Sequence, residues 1–280
     1  MTKDSQTLRS GLSGLIQACH PGPTAVVTLV ISTMAFAAGR DLRGVILMGA
    51  AALTGQLSVG WSNDAHDAAR DQQAARTNKP TVRGQITASQ LWMFAIAAVI
   101  MCVPLSFAAG GPLGGGAHVI AVASAWTYNL YFKTTRLSWL PYAVSFGLIP
   151  AFVTYGLTPP HAPALWLTAA AALMGVGAHL ANALPDLDSD DAIGVGGVAS
   201  SLGRHNTAVV AVSLLFMAIA LLIANVHVGV ALSSAVIVLA LAAIAAALRS
   251  SSDALLFRVI MGLALVAVAL LLVSSTSLSR

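Results

Sequence analysis

The chain has 280 residues, 57% of them hydrophobic and only 9% charged, with a formal net charge of +4 and a mean hydropathy of +0.82. A water-soluble domain carries roughly 25% charged residues, so the composition excludes one and points to an all-helical, polytopic membrane protein. The pI of 9.4 is no signal for nucleic acid, because the basic residues lie between apolar stretches, where topology and anionic ligands account for them.

Residues at about 5–19 read as an amphipathic helix in the membrane interface. No apolar core with a cleavage site marks the start as a secretory leader. Nine apolar stretches follow, at about 23–39, 43–62, 89–109, 114–131, 139–156, 164–184, 206–225, 229–248 and 254–274, each near the ~20 residues a bilayer demands. They predict nine spans in one domain. Two longer polar stretches, 63–88 and 185–205, stand between them. Gly111–Gly116, with Pro112 inside, reads as a turn; no Lys-Ser/Thr pair follows to make it a phosphate loop. Cys19 and Cys102 read as small buried hydrophobes. His20 and His179 fall in or near spans, where polar residues tend to have roles. A helix–helix hydrogen bond is the expectation for His179. His66 reads as solvated, and His118 carries no argument.

With the N-terminus in the cytoplasm, that side receives Lys3, Arg9, Arg70, Arg76, Lys79, Arg83, Lys133, Arg136, Arg204 and Arg249, with Arg258 nearby. The other side receives Arg40, Arg43 and Arg280. This asymmetry follows the positive-inside rule. It predicts a multi-pass cell-membrane protein with its N-terminus and both polar stretches cytoplasmic.

All ten acidic residues are aspartate, and seven of them form two clusters in those polar stretches. Both clusters carry the frame N-x-x-x-D-x-x-x-D: Asn63/Asp67/Asp71 and Asn182/Asp186/Asp190. On a helix this spacing stacks three side chains on one face. Stacked carboxylates repel unless cations sit among them, and a hard oxygen-rich site suits Mg²⁺ shared with a phosphate. Such an ion neutralises diphosphate oxygens and makes diphosphate a good leaving group. An allylic diphosphate then ionises, and an acceptor captures the cation. Arg70, Arg76, Lys79, Lys133 and Arg204 are the basic residues near the clusters, although Arg70 and Arg83 fit topology better, and Lys133 and Arg136 divide evenly between the two roles. Asp64, Asp188 and Asp191 stay open between support of the site and plain solvation. The clusters also suggest an internal pseudo-repeat, with halves at about 1–135 and 136–280 and the site at their interface.

On these residues the chain resembles the UbiA superfamily of intramembrane prenyltransferases. The matching pieces are Asn63–Asp71 with Arg76-Thr77-Asn78-Lys79-Pro80 behind it, Tyr128-Asn129-Leu130-Tyr131-Phe132-Lys133, and Asp186-Leu187-Asp188-Ser189-Asp190. The resemblance implies nine transmembrane helices around a central cavity, a polyprenyl diphosphate donor, Mg²⁺ and a lipid-accessible tunnel. It implies metal-site and catalytic roles for Asp67, Asp71, Asp186 and Asp190. Arg76, Lys79 and Lys133 would contact diphosphate, with Tyr128 lining the cavity; Asn63, Asn182 and Arg204 join this substrate-binding set from the repeated frame and their charge. The chain departs from the family pattern at His20-Pro21 (often Arg-Pro), at the shortened Thr81-Val82-Arg83-Gly84, and at Gly194–Ser201, which lacks a Lys. Acceptor identity, aromatic or lipid, stays open. The alternative within the family is a terpene cyclase with no external acceptor. A transporter would place its carboxylates near mid-membrane, and an alcohol phosphatidyltransferase would gather them in one glycine-containing motif.

Overall fold

The structure is a computed structural model that describes residues 3–187, 196–225, 230–249 and 253–275, and within them every element is helical. In chain order these are α1 (Lys3–Ala18), α2 (Pro21–Ala37), α3 (Leu42–Gln73), α4 (Ala88–Thr127), a π turn (Tyr128–Phe132), α5 (Trp139–Gly147) and α6 (Ile149–Tyr155). Then come α7 (Leu165–Ala183), a 3₁₀ turn (Leu184–Asp186), α8 (Val198–Asn225), α9 (Val230–Arg249) and α10 (Asp253–Ser275).

Local chemistry sets the helix starts. α2 opens on Pro21 and Pro23, in the first turn, where a missing N–H costs nothing. Asp41 Oδ1 accepts from Gly44 N at 3.1 Å and caps α3. Thr87 and Gln90 form a reciprocal capping box at α4, the expected result of Ser/Thr three residues before Gln.

Glycines set the breaks. The apolar helical stretch Ala88–Phe132 has 45 residues, about 68 Å as a straight helix, against a hydrocarbon core of ~30 Å. The chain instead doubles back at Gly111 (φ 64, ψ −166), a backbone conformation that only glycine adopts cheaply. The two halves, 88–110 and 112–127, pack antiparallel. Gly115 lies so close to Phe107 that a Cβ would meet its Cα at 2.7 Å, and the rings of Trp92 and Trp126 are 6.0 Å apart. His118 is buried in this hairpin, at hydrogen-bond distance (2.7 Å) from Ser106 Oγ and stacked on Phe152. The polar residue that carried no argument from sequence is therefore a clasp between helices. Gly203 (φ 74) similarly separates 198–202 from 204–225 in α8.

Among the described residues, α3, Ala88–Phe132, α7 and α8 are each long and apolar enough to cross a membrane, and the pair Ser10–Ala18 with α2, bent by 57°, adds a fifth candidate. Phe36, Ile100, Leu113 and Leu165 are exposed on the outer surface, as lipid contact requires. Inside, α3 packs on α4, α7 on α8, and α10 on α8 and α2. Met34, Met48, Phe152, Leu167, Leu215 and Ile260 are fully buried between them. At one end of the bundle Arg40 donates to the carbonyls of Gly156 and of Ala109 (2.7 Å for the latter). It clamps three connections together, more than the topology charge the sequence suggested.

One expectation about the first polar stretch is corrected. Residues 63–73 are not loop: α3 runs unbroken from Leu42 to Gln73, so the first aspartate cluster is carried on about three turns of helix beyond the expected span end.

Candidate active site

The end of α3 presents Asp64, Asp67 and Asp71, all buried, at 1%, 4% and 1% exposure. Three buried carboxylates within two turns are untenable unless each has a cationic partner. The partners come from four segments. Lys133 donates to Asp67 Oδ2 and, at 2.9 Å, to Asn63 Oδ1. Arg70, one turn on, donates to Asp67 Oδ1. Arg76 pairs with Asp71 Oδ1 at 3.4 Å. Lys79 donates to Asp64 Oδ1 at 2.7 Å, and His20 Nε2 lies 2.9 Å from the same oxygen.

The π turn after α4 explains how Lys133 gets there. Lys133 N donates to Tyr128 O at 3.0 Å, a five-residue step that widens the helix and redirects the side chains that follow, a device frequent at functional sites. Asn129, buried in this turn, donates to Val59 O at 2.9 Å and Ser62 Oγ at 3.0 Å. One turn back, Trp126 Nε1 reaches Ser58 Oγ at 3.1 Å. These bonds pin the end of α4 alongside α3 and aim Lys133 at Asp67.

Next to Lys133 stands an aromatic and polar wall. Tyr128 meets Tyr142 edge-on at 4.9 Å, and Tyr142 stacks on His179 at 4.5 Å. His179 Nε2 lies 3.1 Å from Ser138 Oγ, a bond from α7 to the connection just before α5 where a helix–helix bond was expected. Ser138 Oγ also accepts from Val198 N at 3.3 Å, and a Cβ on Gly197 would lie 3.1 Å from Lys133 O. The chain just after the second aspartate cluster therefore docks on the connection that carries Lys133.

Asn63, Asp67, Asp71, Arg76, Lys79 and Lys133 thus come together at one end of the bundle, with Tyr128 beside them. Arg204 lies on the far side of the second polar stretch, where it donates to Leu184 O at 3.2 Å. Asn182 is exposed. Asp188, Asp190 and Asp191 lie outside the described residues, as does the side chain of Asp186. Among the described residues no three His, Cys, Asp or Glu side chains gather as metal ligands; the first cluster is held by cations. One atom of it is unspent: Asp71 Oδ2 is buried with no hydrogen-bond partner among the described residues. His66 is exposed, as expected. His20, Asp64, Arg70 and Asn129 are site residues that sequence reasoning did not assign. For His20 the hints were its position near the first span and its place where the resembling family often carries Arg. For Arg70 it was the three-residue step from Asp67.

No curated protein matches the chain. Solved structures do match in fold. A UbiA homolog from Archaeoglobus fulgidus, bound to GPP and Mg²⁺, superimposes with a TM-score of 0.70 at 16% identity, over 95% of this chain and 99% of that one. A structure described for the biosynthesis of digeranylgeranylglyceryl phosphate synthase in membranes gives 0.69 at 15% identity, over 97% and 99%. The apo structure of a UbiA homolog from Aeropyrum pernix K1 gives 0.65 at 20% identity, over 89% and 98%. At sequence level the profile of the UbiA prenyltransferase family matches residues 25–254, a range that holds both aspartate clusters, Lys133 and the glycine-broken helices α4 and α8, and the chain belongs to that family.

Proposed function

We propose that the protein is a Mg²⁺-dependent intramembrane prenyltransferase that moves a prenyl group from a polyprenyl diphosphate to an aromatic or lipid acceptor. The observation that carries this reading is the cluster of three buried aspartates on the end of a spanning helix, ringed by Lys133, Arg70, Arg76, Lys79 and His20. Three fixed carboxylates ringed by four Lys/Arg side chains and an imidazole suit a ligand that brings both signs, a diphosphate with its divalent cation.

The residues fit Mg²⁺. Asn63, Asp67 and Asp71 offer only hard oxygens, and Asp71 Oδ2 is buried without a partner among the described residues. Asp67 and Asp71, with Asp186 and Asp190 from the second frame, would hold the ion. When bound, it neutralises the diphosphate oxygens and eases their departure. Lys133 and Arg76 have long side chains that swing from carboxylate to phosphate at small cost. Arg76 grips bidentately and Lys133 as a point charge. The aromatic side chains of Tyr128 and Tyr142 beside Lys133 would stabilise an allylic cation, with its capture left to the acceptor. The apolar outer surface keeps the prenyl tail and membrane lipids in one phase, with the charged end of the bundle on the cytoplasmic side.

The test is mass spectrometry of products from purified protein, Mg²⁺ and a panel of prenyl diphosphates, with and without membrane extract. Transfer to an extract component is expected. A cyclised product formed without extract would replace the transferase reading with the cyclase one. Asp67→Asn should lower kcat about 10²–10³-fold by loss of charge stabilisation at the leaving group. Near-normal turnover of that variant at limiting Mg²⁺ would refute the assignment.

A further inference from the structure

Asp64 differs from the two aspartates that follow it. Asp71 keeps a buried oxygen uncommitted. Asp64 Oδ1, by contrast, meets three groups from three segments. These are Lys79 Nζ at 2.7 Å from the 74–87 connection, His20 Nε2 at 2.9 Å from the α1–α2 bend, and Asn63 Nδ2 at 3.3 Å from its own helix. The carboxylate is 1% exposed, whereas the side chains of Lys79 and His20 are 16% and 41% exposed. The negative charge is the fixed partner, and the cations reach in to it from the mouth of the site.

The 74–87 connection needs such a hold. It contains no helix long enough to order itself, and it includes two left-handed residues, Ala75 (φ 49) and Gly84 (φ 68). Lysine is also among the costliest side chains to order. A buried carboxylate that fixes Nζ in advance removes that cost from ligand binding. An ammonium carries three N–H donors, so one spent on Asp64 leaves two for an anion.

We propose that Asp64 is a positioning residue. It holds Lys79, and with it the 74–87 connection, ready to receive the diphosphate, and it is not a metal ligand. This rests on the diphosphate reading of the site and goes beyond it by giving one aspartate of the cluster a separate task.

The experiment uses the full chain in nanodiscs and the non-ionising analogue geranyl S-thiolodiphosphate. Analogue affinity at saturating Mg²⁺ and the Mg²⁺ concentration for half-maximal binding are read separately. Asp64→Asn and Lys79→Gln should each weaken analogue binding about tenfold, and the double variant should be no weaker than Lys79→Gln, because both remove one link. Half-saturating Mg²⁺ should stay within about twofold in Asp64→Asn but rise clearly in Asp67→Asn. Lys79→Arg keeps a cation on the carboxylate and should retain affinity within about threefold. Three results each overturn the proposal: losses that multiply to about a hundredfold in the double variant, a raised Mg²⁺ requirement in Asp64→Asn, or wild-type affinity in Lys79→Gln. Thermal unfolding checks the fold of Asp64→Asn. If it does not fold, the Lys79→Gln and Lys79→Arg pair decides, since their side chain is not part of the core. A wild-type protein that does not bind the analogue refutes the diphosphate reading itself, a result distinct from the other three.

Discussion

Gly60→Ala adds one methyl group where α3 meets the α1–α2 bend, and it should cost stability and loosen the site together. A Cβ at Gly60 would meet Cys19 O at 2.7 Å, its C at 2.8 Å and its Cα at 2.9 Å. These are backbone atoms, so no rotamer change relieves the clash. The bend must move outward by about 0.7 Å to reach the 3.4 Å at which ordinary contact begins. Asp64 lies one turn beyond Gly60 on the same helix face. The same movement stretches the His20–Asp64 contact from 2.9 Å to roughly 3.6 Å, past hydrogen-bond reach. Overpacking of this kind costs about 1–3 kcal/mol, and replacing a helix-interior glycine returns up to ~1 kcal/mol. Gly116→Ala is the control, because a Cβ there meets nothing within 4 Å and collects only the return. Reversible unfolding in mixed micelles should therefore place Gly60→Ala about 1–3 kcal/mol below Gly116→Ala. Equal stability of the two variants would refute the packing argument.

Ser106→Ala should destabilise by about 1 kcal/mol, the usual scale of an intramembrane side-chain bond, because it leaves buried His118 Nδ1 only the weak 3.9 Å contact with Cys102 Sγ. In a double-mutant cycle with His118→Phe the two losses should not add; simple additivity would show that the clasp contributes nothing. For topology, single cysteines at Gln73 and Thr135 in a cysteine-free background should label from the cytoplasmic side, and one at Thr158 from the opposite side. Labelling of Gln73 and Thr135 from different sides would break the shared site.

Membrane residence and the all-helical class were legible from sequence because both follow from local quantities, the density of apolar residues and the scarcity of charge. The turn near Gly111–Gly116 was legible for the same reason: glycine and proline punctuate a chain wherever they occur. So was the Asn63/Asp67/Asp71 stack, since a four-residue period becomes one face on any helix. That α3 continues through this stack was not legible. Its last three turns are polar, and a hydropathy reading ends a span where apolar residues end. The helix persists there because tertiary partners neutralise its buried carboxylates.

Those partners are what only the tertiary structure decided. Lys133 reaches Asp67 across 66 residues and His20 reaches Asp64 across 44. No periodicity links such positions; they meet because Asn129 and Trp126 lock α4 to α3, and because Gly60 lets the α1–α2 bend approach. Spacing along the chain left Asp64 balanced between the site and solvent and Lys133 between the site and topology, and it favoured topology for Arg70. Folding resolved all three alike, since a carboxylate withdrawn from water must find a cation, and apart from Arg70 the cations that reach Asp64 and Asp67 come from 15 to 66 residues away.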